Sequence, residues 1–378
     1  MTRKSLLFMT CLMLTVPVLF PQLIHAADTI KVAAIFAKSG EAAKPNTMVF
    51  YGLRFAVDEI NKKGGLLGKT VELIEIDNQS TALGSRAAAE KAVKENVTAV
   101  IGGSRSSYAL AMAPVLQAAH IPMISPTATI PELTRTGDYI FRACFIDDFQ
   151  GMVMAAFAIR ELNARTAVVL TNTGNKYSMG LAKVFIDQYR KTGGEILMEG
   201  EYLEGVTDFR KLLEQVRRLD PKVVFIPGYG QDTGLIMKTA GELGIKLHYL
   251  GGDGWGEELL YQYAGNAAEG SYTCSNWNKN SQDKASRRFV ETFEKAYGRI
   301  LSFAVPLTYD SFMLLADAIT RENSIDPSKI RDALAATKGF TGITGEISFD
   351  ENRNPINKPA VILKYEKGAT VYVKTIQP

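Results

Sequence analysis

The sequence predicts an α/β protein made of two lobes, each built on a parallel β-sheet. Its 378 residues are 46% hydrophobic and 22% charged, and a chain of this length usually exceeds one compact core. From Thr29 onward, short runs rich in β-branched residues alternate with amphipathic stretches, as is typical of strands that alternate with helices. This alternation runs through two series of similar size, so we expect two sheets.

The first series predicts five strands and three helices. Val49, Leu53 and Ala56 fall on one face of its first helix, and Gly64 ends that helix. The predicted strands are Ile30–Phe36, Val71–Ile76, Ala99–Gly102, Pro122–Ser125 and Tyr139–Cys144, and the predicted helices are Met48–Lys62, Leu83–Lys94 and one that begins near Ser106.

The second series predicts a sheet of similar size. Its helices are expected at Phe149–Leu162, Met179–Lys191, Asp208–Leu219 and Asp232–Leu243. Its strands are expected at Ala167–Leu170, Ile196–Tyr202, Val223–Pro227, Leu247–Gly251 and Gly270–Cys274.

Three successive helices then interrupt the alternation. They are predicted at Ser281–Tyr297, Val305–Thr320 and Pro327–Thr337, and they are most simply explained if the chain returns to cover the first lobe. Strands at Glu346–Phe349 and Ala360–Lys374 are expected to finish the second lobe. We therefore predict a first lobe of residues 27–145 and 276–345, and a second lobe of residues 146–275 and 346–378.

Residues 1–26 have the three-part plan of a secretory signal peptide. Arg3 and Lys4 precede an apolar run, and cleavage is expected after Ala26. The alternative is a membrane anchor, but two prolines would interrupt its helix. We therefore expect a soluble protein exported to the periplasm.

The mature chain would be almost neutral and would keep two cysteines. Removing Arg3 and Lys4 from the 43 basic residues leaves 41, against 40 acidic residues. This balance gives no electrostatic reason to expect a nucleic-acid or anionic-membrane partner. Cys144 and Cys274 could form one disulfide in an oxidising compartment or remain two buried thiols, and the sequence leaves both open.

No catalytic or metal-binding motif stands out. Residues 64–70 resemble a phosphate-binding loop, but three residues separate Gly64 from Gly68 where four are needed, and the segment follows a helix rather than a strand. Only His120 and His248 lie beyond the leader, which is little material for a histidine triad or a zinc site. We predict that the protein is not an enzyme and has no cofactor or metal.

Polar residues follow the predicted strands at their carboxyl ends, where ligands bind in open α/β sheets. Ser106 and its neighbours open a helix, and their hydroxyl and backbone donors suit a carboxylate. The simpler alternative is that Ser106 only caps the helix. The segment Ser125–Thr129 follows the next strand and could reach the same anion, although it could also be an ordinary turn.

Three loops of the second lobe occupy equivalent positions. They contain Tyr177, Tyr229 and the segment Asp253–Trp255. Glycines beside Tyr229 and Asp253 would allow a ligand to approach the backbone closely. A carboxylate at Asp253 that faces the cleft could pair with an ammonium group, although a lone acid in a loop is usually a turn residue and tyrosines usually serve packing.

Four blocks of sequence follow a known pattern. They are DEINKKGGLLGK at residues 58–69, IGGSRSS at 101–107, ISPTATIPELT at 124–134 and AAEG at 267–270. In this order they resemble the periplasmic amino-acid-binding proteins of branched-chain-type ABC transporters, the leucine/isoleucine/valine-binding family. The resemblance runs from about residue 29 to 375 and implies the type I periplasmic binding fold, a Venus-flytrap of two lobes joined by a multi-strand hinge.

The resemblance also implies roles for the first-lobe residues. Ser106 matches the serine that binds the ligand α-carboxylate, and Thr127 and Ala128 lie in the block that supplies further contacts. Thr129 matches the residue that holds carboxylate and ammonium together. Arg105 stands where some family members carry a disulfide cysteine, so that bridge is absent here.

In the second lobe, the resemblance implies that Tyr177 and Tyr229 close over the ligand. Asp253 matches the acid that receives the α-ammonium, which is usually glutamate in the best-known members. Trp255 is a further candidate, and with the two tyrosines it would also allow an aromatic ligand.

We therefore predict a receptor that captures a free amino acid between two lobes and presents it to an inner-membrane ABC permease. We expect it to act as a monomer without a nucleic-acid partner. One alternative is a receptor for an aromatic or other carboxylate that lacks an ammonium group, and another is a ligand-sensing module. Pro45, Trp255 and Phe303 are candidates for side-chain specificity, but spacing does not show where they point.

Overall fold

The computed structural model describes residues 29–300 and 302–378, without the side chain of Glu257. The predicted signal peptide at residues 1–26 lies outside this part. Within it, no helix combines the length and the apolar character that crossing a membrane requires.

The described chain contains strands and helices in alternation. The strands are β1 (Ile30–Phe36), β2 (Val71–Asp77), β3 (Ala99–Gly102), β4 (Met123–Ser125), β5 (Ile140–Arg142), β6 (Thr166–Asn172), β7 (Glu195–Tyr202), β8 (Val223–Phe225), β9 (Tyr249–Gly251), β10 (Tyr272–Ser275), β11 (Phe340–Gly342), β12 (Gly345–Ile347), β13 (Ala360–Glu366) and β14 (Ala369–Ile376). The helices are α1 (Ala43–Lys62), α2 (Ala82–Lys94), α3 (Ser106–Ala118), α4 (Glu132–Arg135), α5 (Asp147–Arg160), α6 (Lys176–Lys191), α7 (Arg210–Leu219), α8 (Gly230–Glu242), α9 (Glu257–Ala264), α10 (Lys284–Tyr297), α11 (Ala304–Glu322) and α12 (Pro327–Ala335).

Two mainly parallel sheets organise the chain, as predicted. The five strands of the first sheet are all parallel, in the order β2-β1-β3-β4-β5. In the seven-stranded second sheet, β6 to β10 repeat this order in parallel, and β13 and β14 add to β10 in antiparallel fashion. We call the parts of the chain built on these sheets the first and second lobes.

Both faces of the first sheet are covered. Val32 and Phe36 of β1 point into one apolar cluster, while Ala33 and Ile35 point into the cluster on the other face, because successive side chains of a strand alternate. The helices α10, α11 and α12 contribute buried residues to the same cluster as Val32. The three helices therefore pack against this face of the first sheet.

The prediction that a strand at Glu346–Phe349 completes the second lobe is wrong. Strand β12 pairs instead with β11 in a separate two-stranded antiparallel sheet. The Phe349 ring lies 5.5 Å from the ring of Phe141 in the first lobe. The apolar pattern identified a strand but could not indicate which sheet it would join. The residues at which one lobe gives way to the other stay predictions.

The chain crosses between the sheets after β5, after β10 and before β13. At the first two crossings, the backbone N–H of Phe145 donates to Oδ1 of Asn276 at 3.2 Å. Cys144 and Cys274 lie near the same crossings, and both are buried free thiols in the structure.

A series of buried hydrogen bonds connects the segment that follows β12 to helix α11. Lys358 donates to the hydroxyl of Thr344, which donates to Asp310. Asp310 also accepts the backbone N–H groups of Ile343 at 2.7 Å and Thr344 at 2.8 Å. Lys358 and Asp310 are fully buried, and burial lowers the pKa of Lys358 to about 8. Each of these two buried charges is therefore stabilised by the opposite charge of the other.

We predict that Lys358→Met destabilises the protein by about 3 kcal/mol, because removing one member of a buried charge pair leaves the other uncompensated. Urea unfolding measures this loss. The control is Lys364→Met, because Lys364 is partly exposed and contacts Glu366 at 3.5 Å, and surface pairs contribute only about 0–1 kcal/mol. Equal losses in both variants would contradict the prediction.

Candidate ligand-binding site

A cavity of about 550 Å³ lies between the two lobes. Its wall includes Ser104, Arg105 and Thr127 from the first lobe, and Tyr229 and Asp253 from the second. These residues follow β3, β4, β8 and β9, so they lie at the carboxyl ends of parallel strands. In each sheet the strand order reverses beside the first strand, between β1 and β3 in one sheet and between β6 and β8 in the other. Open α/β sheets bind ligands outside the carboxyl ends of their strands, near such a reversal.

Of the predicted first-lobe residues, Thr127 lines the cavity near the start of helix α3, whereas Ser106, Ala128 and Thr129 are not among the residues of its wall. Ser106 is buried as the first residue of that helix. The Thr127 hydroxyl donates to the Ser104 carbonyl at 3.0 Å. The Ala128 N–H donates to the Ser125 hydroxyl at 3.2 Å. A ligand could accept a hydrogen bond from this N–H only by displacing the hydroxyl. The region therefore offers hydroxyl groups and the amino end of a helix to an anion.

Asp253 is a buried acid of the cavity wall. Its side chain is only 5% exposed. Tyr177 donates its hydroxyl to Oδ1 of Asp253 at 3.0 Å, and Nδ2 of Asn276 donates to Oδ2 at 3.3 Å. Burial raises the pKa of Asp253 to about 6, despite these hydrogen bonds. Near neutral pH the carboxylate is a buried negative charge that a ligand cation would stabilise.

Tyr229 lies between Tyr177 and Arg105. The two tyrosine rings stack with centroids 5.3 Å apart, and the Arg105 guanidinium carbon lies 4.2 Å from the Tyr229 centroid. Arg105 also pairs with Glu41 in its own lobe and lies 3.8 Å from Glu204 in the second lobe. Sequence reasoning treated Arg105 only as a missing cysteine. The structure makes it a contact between the lobes.

Further polar contacts join the lobes across the cleft. Lys44 donates to the side-chain carbonyl of Gln262 at 2.8 Å. Arg299 and Glu258 form an ion pair at 2.5 Å. All four residues belong to the cavity wall, so these contacts lie at its edge and the cleft is closed.

Trp255 does not line the cavity. Its indole is fully buried in the core of the second lobe, and Nε1 donates to the Ile226 carbonyl at 2.8 Å. A side chain at Gly251 would overlap the Trp255 ring, and one at Gly254 would overlap Tyr177. These two glycines therefore make room for aromatic side chains, and Gly254, which is beside Asp253, also belongs to the cavity wall.

Asp147 is a buried acid that sequence reasoning did not select. It begins helix α5 and is fully buried. Gln150 donates to Oδ1 of Asp147 at 2.7 Å and accepts the Asp253 N–H at 3.2 Å, so it connects the two acids. Acids at the start of a helix are usually explained by the helix dipole, so the sequence offered no signal that Asp147 was special.

Two buried oxygens near this network lack hydrogen bonds. They are Oδ2 of Asp147 and the hydroxyl of Thr129, which lies near the Asp147 carboxylate without the geometry of a hydrogen bond. Burial and the neighbouring charge of Asp253 raise the pKa of Asp147 to about 7. Unpaired buried polar atoms are rare in folded proteins, but neither Asp147 nor Thr129 is among the residues of the cavity wall.

A family model described as "Periplasmic binding protein" matches residues 29–370. The chain belongs to this family. It is 30% identical to the leucine-specific-binding protein of Salmonella typhimurium over 326 residues, which cover 86% of this chain and 88% of the relative. The chain is thus related to the branched-chain amino acid-binding proteins of ABC transporters.

Solved structures share the fold. The branched-chain amino acid transporter substrate-binding protein LivJ of Streptococcus pneumoniae, in complex with isoleucine, is 32% identical with a TM-score of 0.88, over 93% of this chain and all of that chain. A solute-binding protein of Rhodopseudomonas palustris in complex with 3,4-dihydroxybenzoic acid is 22% identical with a TM-score of 0.82, over 93% of this chain and 98% of that one.

The comparisons identify the protein as an ABC transporter solute-binding protein. Members of this family are not catalytic, which confirms the prediction that the chain is not an enzyme. The predicted fold, two α/β lobes of the type I periplasmic binding class, is also confirmed.

We predict that the ligand-free protein loses stability between pH 5 and pH 8. The pKa values of Asp253 and Asp147, about 6 and about 7, exceed the value of about 3.9 expected in the unfolded chain. Their contribution is therefore complete below the unfolded pKa and is lost as pH rises through the folded values. Asp147→Asn should reduce this loss by about 2 kcal/mol.

Urea unfolding of ligand-free protein at pH 5 and pH 8 measures the effect. Asp148→Asn is the matched control, because Asp148 is the exposed neighbour of Asp147 and the variant should keep the parent's pH dependence. An unchanged pH dependence in Asp147→Asn would show that this carboxyl does not titrate in the interval.

Proposed function

We propose that the protein is a periplasmic receptor that captures a free amino acid in the cleft and delivers it to an inner-membrane ABC permease. The observation that carries the proposal is Asp253, a carboxylate in the cavity wall opposite the start of helix α3. A free amino acid carries an ammonium and a carboxylate close together. Asp253 suits the first group, and the helix start with Ser106 suits the second.

The neighbouring residues support the same orientation. Tyr177 and Asn276 hold the two oxygens of Asp253, which fixes the direction of the carboxylate. Asp147, with the Thr129 hydroxyl near it, is connected to Asp253 through Gln150 and would act on the ammonium through its charge. With two acids near it, the ammonium would relieve the repulsion between buried carboxylates. Thr127 and Tyr229 complete the wall around the ligand backbone.

Export and delivery follow from the leader and from the relatives. The signal-peptide pattern of residues 1–26 supports a periplasmic location, and the identification as an ABC transporter solute-binding protein supports delivery to a permease. Closure of two lobes around a ligand would create a combined surface that a permease can recognise. A sensing role would use the same closure with a different membrane partner.

The second candidate is a receptor for a carboxylate without an ammonium group. The pKa of Asp253, about 6, favours this candidate only under acidic conditions, where the side chain is neutral. At neutral pH, a ligand without a cation would leave the buried Asp253 carboxylate with only the uncharged donors Tyr177 and Asn276, which is costly. We therefore favour the amino acid.

We predict that Asp253→Asn weakens amino-acid binding by about 2 kcal/mol at pH 7.5, because a hydrogen bond to a charged group contributes about 1.5–3 kcal/mol. Isothermal titration calorimetry measures the loss. Asp187→Asn is the control, since Asp187 lies on the surface of helix α6, 3.4 Å from Lys183. Parent-like affinity of Asp253→Asn would refute the ammonium role.

We predict that Ser106→Ala weakens binding by about 1–3 kcal/mol, because the ligand carboxylate would lose a buried hydrogen-bond donor. Ser328→Ala is the control, since Ser328 is exposed on helix α12 and its hydroxyl donates to Asp326 at the start of the same helix. If both variants bind equally well, the Ser106 hydroxyl does not bind the ligand, and Ser106 serves only as the first residue of helix α3.

A further inference from the structure

We propose that the amino acid bound here carries an aromatic side chain, larger than the side chain of leucine. This inference rests on the proposed function, because it takes the ammonium and carboxylate to be held by Asp253 and the start of helix α3. It concerns the remaining volume of the cavity and the chemistry of the wall around it.

The cavity is larger than a branched-chain amino acid requires. Leucine has nine non-hydrogen atoms, and even at the liquid-water share of roughly 30 Å³ per atom it would fill about 270 Å³. The cavity, which is partly open to solvent, has a volume of about 550 Å³. A bound leucine would leave much of the wall without contact. Wall atoms beside unfilled volume lose the favourable dispersion contacts that close packing provides.

The wall beyond the ammonium and carboxylate sites is largely apolar. Pro45 and Met48 at the start of helix α1, and Phe303 at the start of helix α11, form it on the first lobe. Leu259 of helix α9 and the side chain of Tyr229 face them from the second lobe. A flat ring between these two sides would contact apolar atoms on both faces.

Phe303 makes the wall suitable for a ring. Its side chain is buried, yet within the described chain it packs against no other aromatic ring, whereas Tyr229 already contacts Tyr177 and Arg105. Aromatic pairs contribute about 0.5–1.5 kcal/mol beyond the area that they bury. Met48 also belongs to the wall, and a thioether beside a ligand ring would be a favourable neighbour.

The charges at the cavity edge favour an uncharged side chain. Arg299 is neutralised by Glu258 at 2.5 Å, and Lys44 is engaged by Gln262 at 2.8 Å. An acidic or basic side chain would have to break one of these contacts between the lobes. A neutral ring leaves both intact and lies between them and Asp253.

Ala304 provides the space for the ring. It begins helix α11 in the cavity wall, directly after Phe303. A leucine at this position would extend into the cavity and reduce the volume available to a large side chain, while leaving the ammonium and carboxylate sites unchanged.

The test is calorimetry on the mature protein, freed of bound ligand by unfolding and refolding, with leucine, phenylalanine, tryptophan and 3-phenylpropionate. We expect phenylalanine or tryptophan to bind at least tenfold more tightly than leucine. Equal or tighter binding of leucine overturns this inference but leaves the amino-acid receptor intact. If 3-phenylpropionate, which lacks the ammonium, binds as tightly as phenylalanine, the proposed function is wrong and the inference falls with it. Absence of binding to all four overturns both.

The variant Ala304→Leu tests the cavity directly. We expect it to weaken binding of the aromatic amino acid at least tenfold while changing leucine binding less than threefold. Ala335→Leu is the matched control, because it adds the same group on an exposed position of helix α12, and its affinities should equal those of the parent. Thermal unfolding shows whether each variant is folded. A folded Ala304→Leu variant that binds both ligands like the parent overturns the inference.

Discussion

The burial of two carboxylates, Asp147 and Asp253, is the constraint on which the rest of the site depends. One begins helix α5 at the first crossing between the lobes, and the other follows β9 of the second lobe. Gln150 contacts both through its amide. A buried charge is costly without a partner, and two like charges nearby raise the cost. The side chains that donate to these acids, Tyr177, Asn276 and Gln150, are uncharged at neutral pH. The buried Arg142 partly offsets the charge of Asp147, so Asp253 is the acid that a cation of the ligand would complement.

The general position of the site follows from topology, and topology could be predicted from the sequence. The alternation of strands and helices implied parallel sheets, and parallel sheets bind ligands where their strands end. Thr127, Tyr229 and Asp253 were selected on this basis, and all three contribute to the cavity wall. The return of α10, α11 and α12 to the first lobe could also be predicted, because three helices in succession have no strand of their own to cover.

Features that depend on contacts distant in sequence could not be predicted. Trp255 follows a glycine-rich loop like the other candidates, but its indole packs over Gly251 in the second-lobe core. The same local pattern is compatible with either outcome, because a glycine shows that something approaches the backbone without showing what. Asp147 illustrates the opposite error. It resembles an ordinary acid at a helix start, and only its full burial beside Asp253 distinguishes it.

Asn276 connects the acid of the cavity to the hinge. Its Nδ2 donates to Asp253, and its Oδ1 accepts the N–H of Phe145 on the other crossing segment. Atoms close to a hinge move little when the lobes rotate, so these two hydrogen bonds can persist while the contacts at the cleft edge open. Arg105, Lys44 and Arg299 lie at that edge and contact residues of the opposite lobe. Rotation would therefore separate the edge contacts first and expose the cavity, while Asp253 keeps its orientation toward an incoming ammonium.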